Sequence, residues 1–236
     1  MINDKRWSIT SQGDRTIILT FNKPVSIEGG RTCSSLAQAI RESDIRGVLD
    51  VVPSLSSIAV HYQPRLFGAS TSFKNISNEV ARVINQFEKT ELSMPSNVIN
   101  IPVCYGGIYG PDLTYVAKHC GLSETEVIHL HSNSNAFVFM LGFAPGAAYI
   151  GMHDKALNIG RKDTPRTALP KGSVAIANCQ TIIYPNESPG GWHVIGTTPL
   201  EMFFPEQTPP TLLAPGDAVR FTPISAEEFT NYQSKS

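Results

Sequence analysis

The chain has 236 residues, of which 19 are basic and 20 acidic, so its formal net charge at pH 7 is −1. A balanced charge excludes the broad positive field of proteins that bind nucleic acid or anionic membranes, and no apolar run reaches the roughly 18 residues of a membrane helix. The N-terminal residues lack the apolar segment of a secretion signal, and the four cysteines have no C-x-x-C spacing. We therefore expect a cytoplasmic protein with reduced thiols, without disulfides or a metal site.

The first third of the chain alternates short strands with a helix. Alternating apolar residues predict strands at Trp7–Thr10 and Thr16–Phe21. A helix follows over about Thr32–Ser43, because its apolar residues share one face. Strands then recur at Val48–Val52 and Ser57–Tyr62, separated by turn residues.

The clearest helical pattern of the chain comes next, and one more strand follows it at Asn97–Val103. Apolar residues repeat at intervals of three and four along this helix: Phe73, Ile76, Val80, Val83, Ile84 and Phe87. If Trp7–Thr10 is set aside, the order is strand, helix, strand, strand, helix, strand, which is typical of ferredoxin-like domains. We predict a ferredoxin-like domain over residues 1–96 and a second domain over residues 97–236.

The second domain is predicted to open with two short helices and to continue as β structure. Pro111 and Gly121 suit the start and end of the first helix, and Ser123–Glu126 is a capping box that begins the second. Short β-rich runs bounded by Gly or Pro follow at Ala136–Leu141, Ser173–Ala177, Thr181–Tyr184, Trp192–Ile195 and Ala218–Thr222. This pattern favours a closed or sandwich-like β structure, and the whole chain is therefore predicted to be α+β.

Glycine and proline are concentrated between Gly142 and Pro199. They make up 14 of these 58 residues, against 21 of the other 178. Such a density indicates backbone held in special conformations, which suits a binding surface and also suits the corners of a barrel. We place the functional surface in this segment.

Several strings in the second domain go beyond generic loops. They are Ile101–Gly107, Gly110–Leu113, Leu141–Gly151, Thr164–Ile176, Gln180–Gly196 and Leu213–Phe221. In this order they strongly resemble the KipI family, which includes the B subunit of bacterial 5-oxoprolinase and is often labelled allophanate hydrolase subunit 1. The matching strings cover roughly residues 100–222, whereas the first domain matches only in the order of its elements.

This resemblance implies a fold, partners and an activity. It implies a ferredoxin-like N-terminal domain followed by a cyclophilin-like β-barrel domain. It also implies a heteromer with a KipA-like C subunit. Together with an A subunit, such a complex opens 5-oxoproline to glutamate at the expense of ATP. A related domain forms part of the carboxyltransferase of urea carboxylase, and KipI itself inhibits a sporulation histidine kinase.

Three function classes share these strings and stay open at this stage. The chain is an enzyme subunit of a 5-oxoprolinase-like complex, a regulatory protein that binds a histidine kinase, or a component of a biotin-dependent carboxyltransferase. The sequence has no G-x-x-x-x-G-K-[ST] phosphate loop. We therefore expect ATP to be used at the level of the complex, at a site that is atypical or shared with a partner, and we expect the isolated chain to be inactive.

Three residues are predicted to be catalytic. Arg166 has a guanidinium that can grip a carboxylate or phosphate through two hydrogen bonds, although a salt bridge at the barrel edge is an equal alternative. Gln180 can orient an amide or a carboxylate, or bond to backbone at the start of a strand. Glu187 is a candidate general base in a turn, where a solvated carboxylate is the simpler interpretation.

The remaining candidates are substrate-binding residues in the same segment. They are Pro145, Gly146, Tyr149, Thr181, Gly190, Gly191, Trp192 and His193. The two adjacent glycines allow close approach of a ligand to the backbone, and the aromatic side chains either wall a pocket or belong to the core. Trp192 and His193 are expected on opposite faces of a strand, so only one of them can line a given pocket. His129 and His131 form an H-x-H pair, for which no third metal ligand is evident.

Two positions depart from the pattern of the KipI family. Ala147-Ala148 stands where the family usually has Phe-Pro, and Ile182 stands where it usually has Gly. One change removes apolar volume and the other adds it. We predict that the two changes compensate each other in a single pocket.

Overall fold

The structure is a computed structural model of the chain and describes residues 2–3, 6–68, 72–87, 98–134 and 136–234. The chain divides into two compact units, residues 1–95 and 96–236. The predicted boundary between residues 96 and 97 falls in the segment 88–97, outside the described residues. Within the described part of the chain, no helix combines the length and the apolar character needed to cross a bilayer.

The first unit is a five-stranded antiparallel sheet with two long helices. Its strands are β1 (Ile2–Asn3), β2 (Trp7–Ser11), β3 (Thr16–Phe21), β4 (Val48–Pro53) and β5 (Ser57–Tyr62), and its helices are α1 (Ile27–Glu42) and α2 (Ser72–Phe87). The strands lie in the order β1-β2-β3-β5-β4. Apolar side chains of both helices and of the inner sheet face form one core, because each element is apolar on one face only.

The second unit is built around a closed seven-stranded barrel. Its described elements begin with β6 (Val98–Tyr105), α3 (Leu113–Cys120) and α4 (Glu124–Ser132). The strands that follow are β7 (Ala136–Leu141), β8 (Ala148–Gly151), β9 (Arg166–Leu169), β10 (Ser173–Ala177), β11 (Gln180–Ile183), β12 (Ser188–Gly190), β13 (His193–Thr197) and β14 (Ala218–Ile224), and α5 (Ala226–Gln233) comes last. The barrel runs β10-β11-β8-β7-β14-β6-β13, while β9 and β12 form a separate two-stranded sheet.

The α+β prediction, with a ferredoxin-like unit followed by a β-barrel unit, is confirmed, but the assignment of one strand was wrong. The predicted strand Asn97–Val103 was counted as the last of the ferredoxin-like order, but the strand observed there, β6, lies in the barrel between β13 and β14. The sheet position beside β3 is occupied by β2, the strand that had been set aside. Sequence order alone does not reveal which sheet a strand joins, since that depends on long-range pairing.

Helix α1 begins five residues earlier than predicted. Ser26 is its N-cap, and the Ser26 hydroxyl accepts a hydrogen bond from the Gly29 N–H. Gly29 and Gly30 in the first turns mask the start of the helix, because glycine is a poor helix former. The cap and the buried face of the helix outweigh that local preference.

Candidate functional site

A buried carboxylate, that of Asp112, contacts the Gly/Pro-rich segment of the second unit. Asp112 directly precedes α3, but its side chain does not cap the helix. Both carboxylate oxygens instead accept hydrogen bonds from Arg166, at 2.5 and 2.8 Å. Lys162 Nζ lies 3.0 Å from Oδ1, and the Val194 N–H donates to Oδ2 at 2.8 Å.

The charges around Asp112 do not cancel. Burial would raise the pKa of the carboxyl, but hydrogen bonds from Arg166, Lys162 and the Val194 N–H outweigh burial and hold the pKa at about 2. One negative charge is therefore shared by two cations, whose side chains are 33% and 23% exposed for Arg166 and Lys162. The site carries a surplus positive charge that an anion can reach.

His193 and Tyr115 complete this site. The His193 ring is stacked on Tyr115 at a centroid distance of 5.4 Å, and its Nε2 lies 3.1 Å from the Gly160 carbonyl oxygen. Burial, followed by the charge of Lys162, lowers the pKa of His193, so the ring is neutral at pH 7. Neutral imidazole donates through Nε2 here, which leaves Nδ1 as a buried acceptor with no partner among the described residues. We call Asp112, Tyr115, Lys162, Arg166 and His193 the Asp112 cluster.

The predicted glycine pair positions the cations of the Asp112 cluster. Gly190 is the pairing partner of Arg166 between β12 and β9, and the Gly191 carbonyl oxygen accepts a hydrogen bond from the Lys162 N–H at 2.7 Å. A Cβ atom at Gly190 would lie 2.3 Å from the Tyr184 hydroxyl. Only glycine, which has no Cβ atom, fits at this position beside Arg166.

The predicted aromatic residues contact one another away from His193. Tyr149 and Trp192 pack edge to face at 5.9 Å, and the Arg161 guanidinium lies 5.7 Å from the Trp192 ring centre. Trp192 belongs to an apolar cluster with Leu169, whereas His193 belongs to the Asp112 cluster. The two neighbours thus contact different groups, as expected from alternation.

Four further candidates lie outside the Asp112 cluster. Gln180 begins β11, and its carbonyl oxygen lies 3.1 Å from Nε2 of His153. Glu187 is exposed in the turn before β12, and Pro145 is exposed in the loop before β8. Gly146 has a φ of +81°, and a Cβ there would lie 2.7 Å from the Met202 carbonyl oxygen, so packing requires this glycine.

Thr181 is part of a buried hydrogen-bonded chain. Its hydroxyl lies 2.9 Å from Nε2 of His131, and Nδ1 of His131 lies 2.7 Å from the Tyr105 hydroxyl. Burial, followed by the charge of nearby His153, lowers the pKa of His131 to about 3. Burial also raises the pKa of Tyr105. The chain is therefore neutral at pH 7 and joins β6, α4 and β11.

Asp112, Tyr115 and Lys162 were missed by sequence reasoning. Asp112 follows Pro111 at the start of a helix, where aspartate is expected to cap the first turn. Its actual partners lie 50 and 54 positions away along the chain. One signal was available in the sequence. Two cations, Lys162 and Arg166, lie close together in a loop-rich segment, and such a pair of cations needs a carboxylate nearby.

The structure places Ala147 and Ile182 in one apolar cluster, with Trp192 and Tyr184. Ala148 instead packs in the barrel interior with Ile183, its pairing partner. The compensation proposed for these positions therefore concerns Ala147 and Ile182 alone.

We expect Ala147→Phe to lower the free energy of unfolding by about 1–3 kcal/mol, because Ala147 is fully buried and the added ring overpacks the cluster. Adding Ile182→Gly should recover part of this loss, since it vacates volume in the same cluster, while glycine adds its own entropic cost. Denaturant unfolding of both single variants and the double variant measures the coupling.

Ala168→Phe is the matched control, since Ala168 is exposed in β9, and its effect should stay within about 0.5 kcal/mol. Strict additivity of Ala147→Phe and Ile182→Gly would show that the two positions do not share space.

Comparison with known proteins agrees with this fold. Residues 7–213 match the family described as carboxyltransferase domain, subdomain C and D. The chain is 36% identical to the B subunit of 5-oxoprolinase from Bacillus subtilis, over 98% of both chains.

Two solved structures are similar in fold. The crystal structure of TTHA0988 superposes with a TM-score of 0.76 at 34% identity, over 90% of this chain and 40% of that one. The Kluyveromyces lactis urea carboxylase shares the fold, with a TM-score of 0.73 at 16% identity over 95% of this chain and 22% of that one. The present chain thus spans less than half of either structure. The end-to-end match with the Bacillus subtilis protein shows that the chain belongs to the family of 5-oxoprolinase B subunits, also called the KipI family.

Proposed function

We propose that the chain is the B subunit of a 5-oxoprolinase-like complex, which hydrolyses 5-oxoproline to glutamate with ATP. The observation that carries this proposal is the 36% identity over 98% of both chains with the B subunit of a 5-oxoprolinase. The match spans 98% of the chain and therefore extends over the loops that build the Asp112 cluster, where we place the chemistry of the second unit.

The Asp112 cluster suits an anionic substrate. The substrate 5-oxoproline carries one carboxylate, and phosphorylation of its lactam oxygen adds further negative charge. The surplus positive charge of Lys162 and Arg166 would hold such groups, and it is fixed in place by Asp112 before the substrate arrives. His193 beside Lys162 is neutral, because burial lowers its pKa, and it adds no charge to the site.

The proposed assembly contains two further proteins, a KipA-like C subunit together with an A subunit, and it works in the cytoplasm. Two observations support these assignments. In TTHA0988 and in urea carboxylase the region similar to this chain is one part of a longer chain, so the fold operates beside further domains. The four cysteines are free thiols, as in proteins of a reducing compartment.

The isolated chain should show no ATP-dependent formation of glutamate from 5-oxoproline. The reason is that the chain lacks a phosphate-binding loop of the G-x-x-x-x-G-K-[ST] type, so we expect the nucleotide site to need a partner. Glutamate release is measured for the purified chain and for the chain co-purified with both partner proteins.

Turnover in the complex alone supports the proposal, whereas turnover by the isolated chain would contradict it. A control shows that the isolated chain was not damaged during purification. When it is added to a mixture of the two partner proteins, ATP-dependent formation of glutamate should be restored.

A role in a biotin-dependent carboxyltransferase is the second candidate, because residues 7–213 match a carboxyltransferase domain. The discriminating measurement is transfer of the carboxyl group from carboxybiotin to urea by the assembled complex. Carboxyl transfer without hydrolysis of 5-oxoproline would favour this second function over the first.

A further inference from the structure

Four side chains of the second unit lie close together and donate no hydrogen bond to any residue that the structure describes. They are Tyr149, Arg161, Tyr184 and Trp192. Tyr149 and the Arg161 guanidinium both pack on the Trp192 ring, and Tyr184 belongs to the same apolar cluster as Trp192. We call these four residues the Arg161 group.

Two of the unused donors belong to side chains that are almost fully buried. Tyr184 is 2% exposed and Trp192 is 5% exposed. The Tyr184 hydroxyl and the Trp192 Nε1–H are nevertheless not among the unpartnered polar atoms that are closed off from solvent. Both donors can therefore reach an acceptor outside the protein without any opening of the fold, and buried side chains hold them in fixed positions.

The Arg161 group carries one uncompensated positive charge. Burial, followed by the charge of Tyr149, raises the pKa of Tyr184 to about 12, so its hydroxyl is a donor at pH 7. The charged groups that act on this hydroxyl within the described residues are Tyr149 and Arg161, and no carboxylate is among them. Arg161 is exposed and has no ion pair in the described ranges, whereas its neighbour Lys162 bonds to Asp112.

We propose that the Arg161 group binds a small monocarboxylate. A guanidinium can donate two parallel hydrogen bonds to one carboxylate, and the carboxylate oxygens have further lone pairs for the Tyr184 hydroxyl and the Trp192 Nε1–H. One cation matches the single charge of a carboxylate, whereas a phosphate dianion would keep a surplus negative charge. Phe143, which is 63% exposed and lies 6.4 Å from the Tyr184 ring, offers apolar contact to the rest of the ligand.

This site uses none of the residues of the Asp112 cluster and is independent of the proposed 5-oxoprolinase activity. Acetate is the probe, and acetamide is its neutral counterpart of the same shape. We expect saturable acetate binding with a dissociation constant of about 10 mM, and at least fivefold weaker binding of acetamide. Chloride keeps the ionic strength constant throughout the titration. The readout is the pair of indole N–H signals of Trp7 and Trp192 in the NMR spectrum of the full chain.

Acetate should shift the Trp192 signal, which the Trp192→Phe variant identifies by its absence. Arg161→Gln should weaken acetate binding about threefold to fivefold, because it removes the charge of an exposed side chain. Tyr184→Phe should weaken it about threefold, because it removes one donor and keeps the ring. Arg220→Gln is the matched control, since Arg220 is an exposed arginine on β14 of the same unit, and it should leave binding unchanged.

Three outcomes would overturn the proposal. The first is the absence of a saturable shift of the Trp192 signal at about 20 times the expected dissociation constant. The second is an equal affinity for acetate and acetamide, and the third is an equal affinity of the Arg161→Gln and Arg220→Gln variants for acetate. Because both arginine changes are made on exposed side chains, the test does not depend on whether Trp192→Phe or Tyr184→Phe folds.

Discussion

Asp112→Ala should lower the free energy of unfolding by about 3 kcal/mol, more than any other single change to the Asp112 cluster. Removing one partner of a buried ion pair leaves the others without compensation, and here two cations and the Val194 N–H lose the same acceptor. Arg166→Ala should cost less, because the carboxylate keeps Lys162 and the Val194 N–H. Urea unfolding of the two single variants and the double variant gives the coupling energy.

Asp163→Ala is the matched control, since Asp163 is an exposed carboxylate in the same loop and its loss should change stability by less than about 0.5 kcal/mol.

The pKa of Asp112 also predicts the sign of a pH effect on stability. Its folded pKa of about 2 lies below the ordinary value of 3.8, so it contributes about 2 kcal/mol above pH 4. This contribution disappears as the pH falls from 4 to 2.

The stability difference between the wild type and Asp112→Asn should therefore shrink over that interval. A difference that stays constant down to pH 2 would show that the Asp112 carboxyl is not held ionised by its neighbours.

His131→Gln should make the protein less sensitive to acid. The folded pKa of His131, about 3, lies below its ordinary value of 6.5, so the folded state excludes a proton that the unfolded state binds. Stability is then complete above pH 6.5 and falls by about 1.4 kcal/mol per pH unit as the pH drops toward 3. In the variant, the free energy of unfolding should no longer fall by this amount per pH unit between pH 6 and pH 4. Urea unfolding at several pH values measures this.

The groups around His131 are neutral or themselves resist protonation. They are the hydroxyls of Tyr105 and Thr181, the Phe221 ring, and His153, whose pKa is also lowered by burial. His129→Gln on the exposed side of α4 is the control and should keep the wild-type slope. An unchanged slope in His131→Gln would mean that His131 is protonated in the folded state.

Local sequence patterns predicted most of the elements but not their partners. The strands β2 and β6 were both recognised, as Trp7–Thr10 and Asn97–Val103, because alternation of apolar residues is a property of the strand itself. Their sheets were not, since β6 pairs with β14 more than 100 residues later. Hydrogen bonds of that kind depend on the closed barrel and leave no local trace.

The candidate site shows the same division. Arg166, Gly190, Gly191 and His193 were found from a loop-rich segment, and the structure brings them together around Asp112. Asp112 was missed because its position predicts an ordinary helix cap. The catalytic role of Arg166 stays a prediction, and the salt bridge named as its alternative is present in the structure.

The parallel pairing of β6 with β14 has a consequence for synthesis of the chain on the ribosome. Residues 98–103 find their partners in β14 only when residues 218–223 have emerged, so the barrel cannot close until almost the whole second unit has been made. The sheet of the first unit, in contrast, is complete once residue 62 is available. We therefore expect the first unit to fold during translation. Strand β6 stays unpaired with its partner β14 in the meantime, so rapid synthesis of the second unit or binding of chaperones is needed to avoid aggregation.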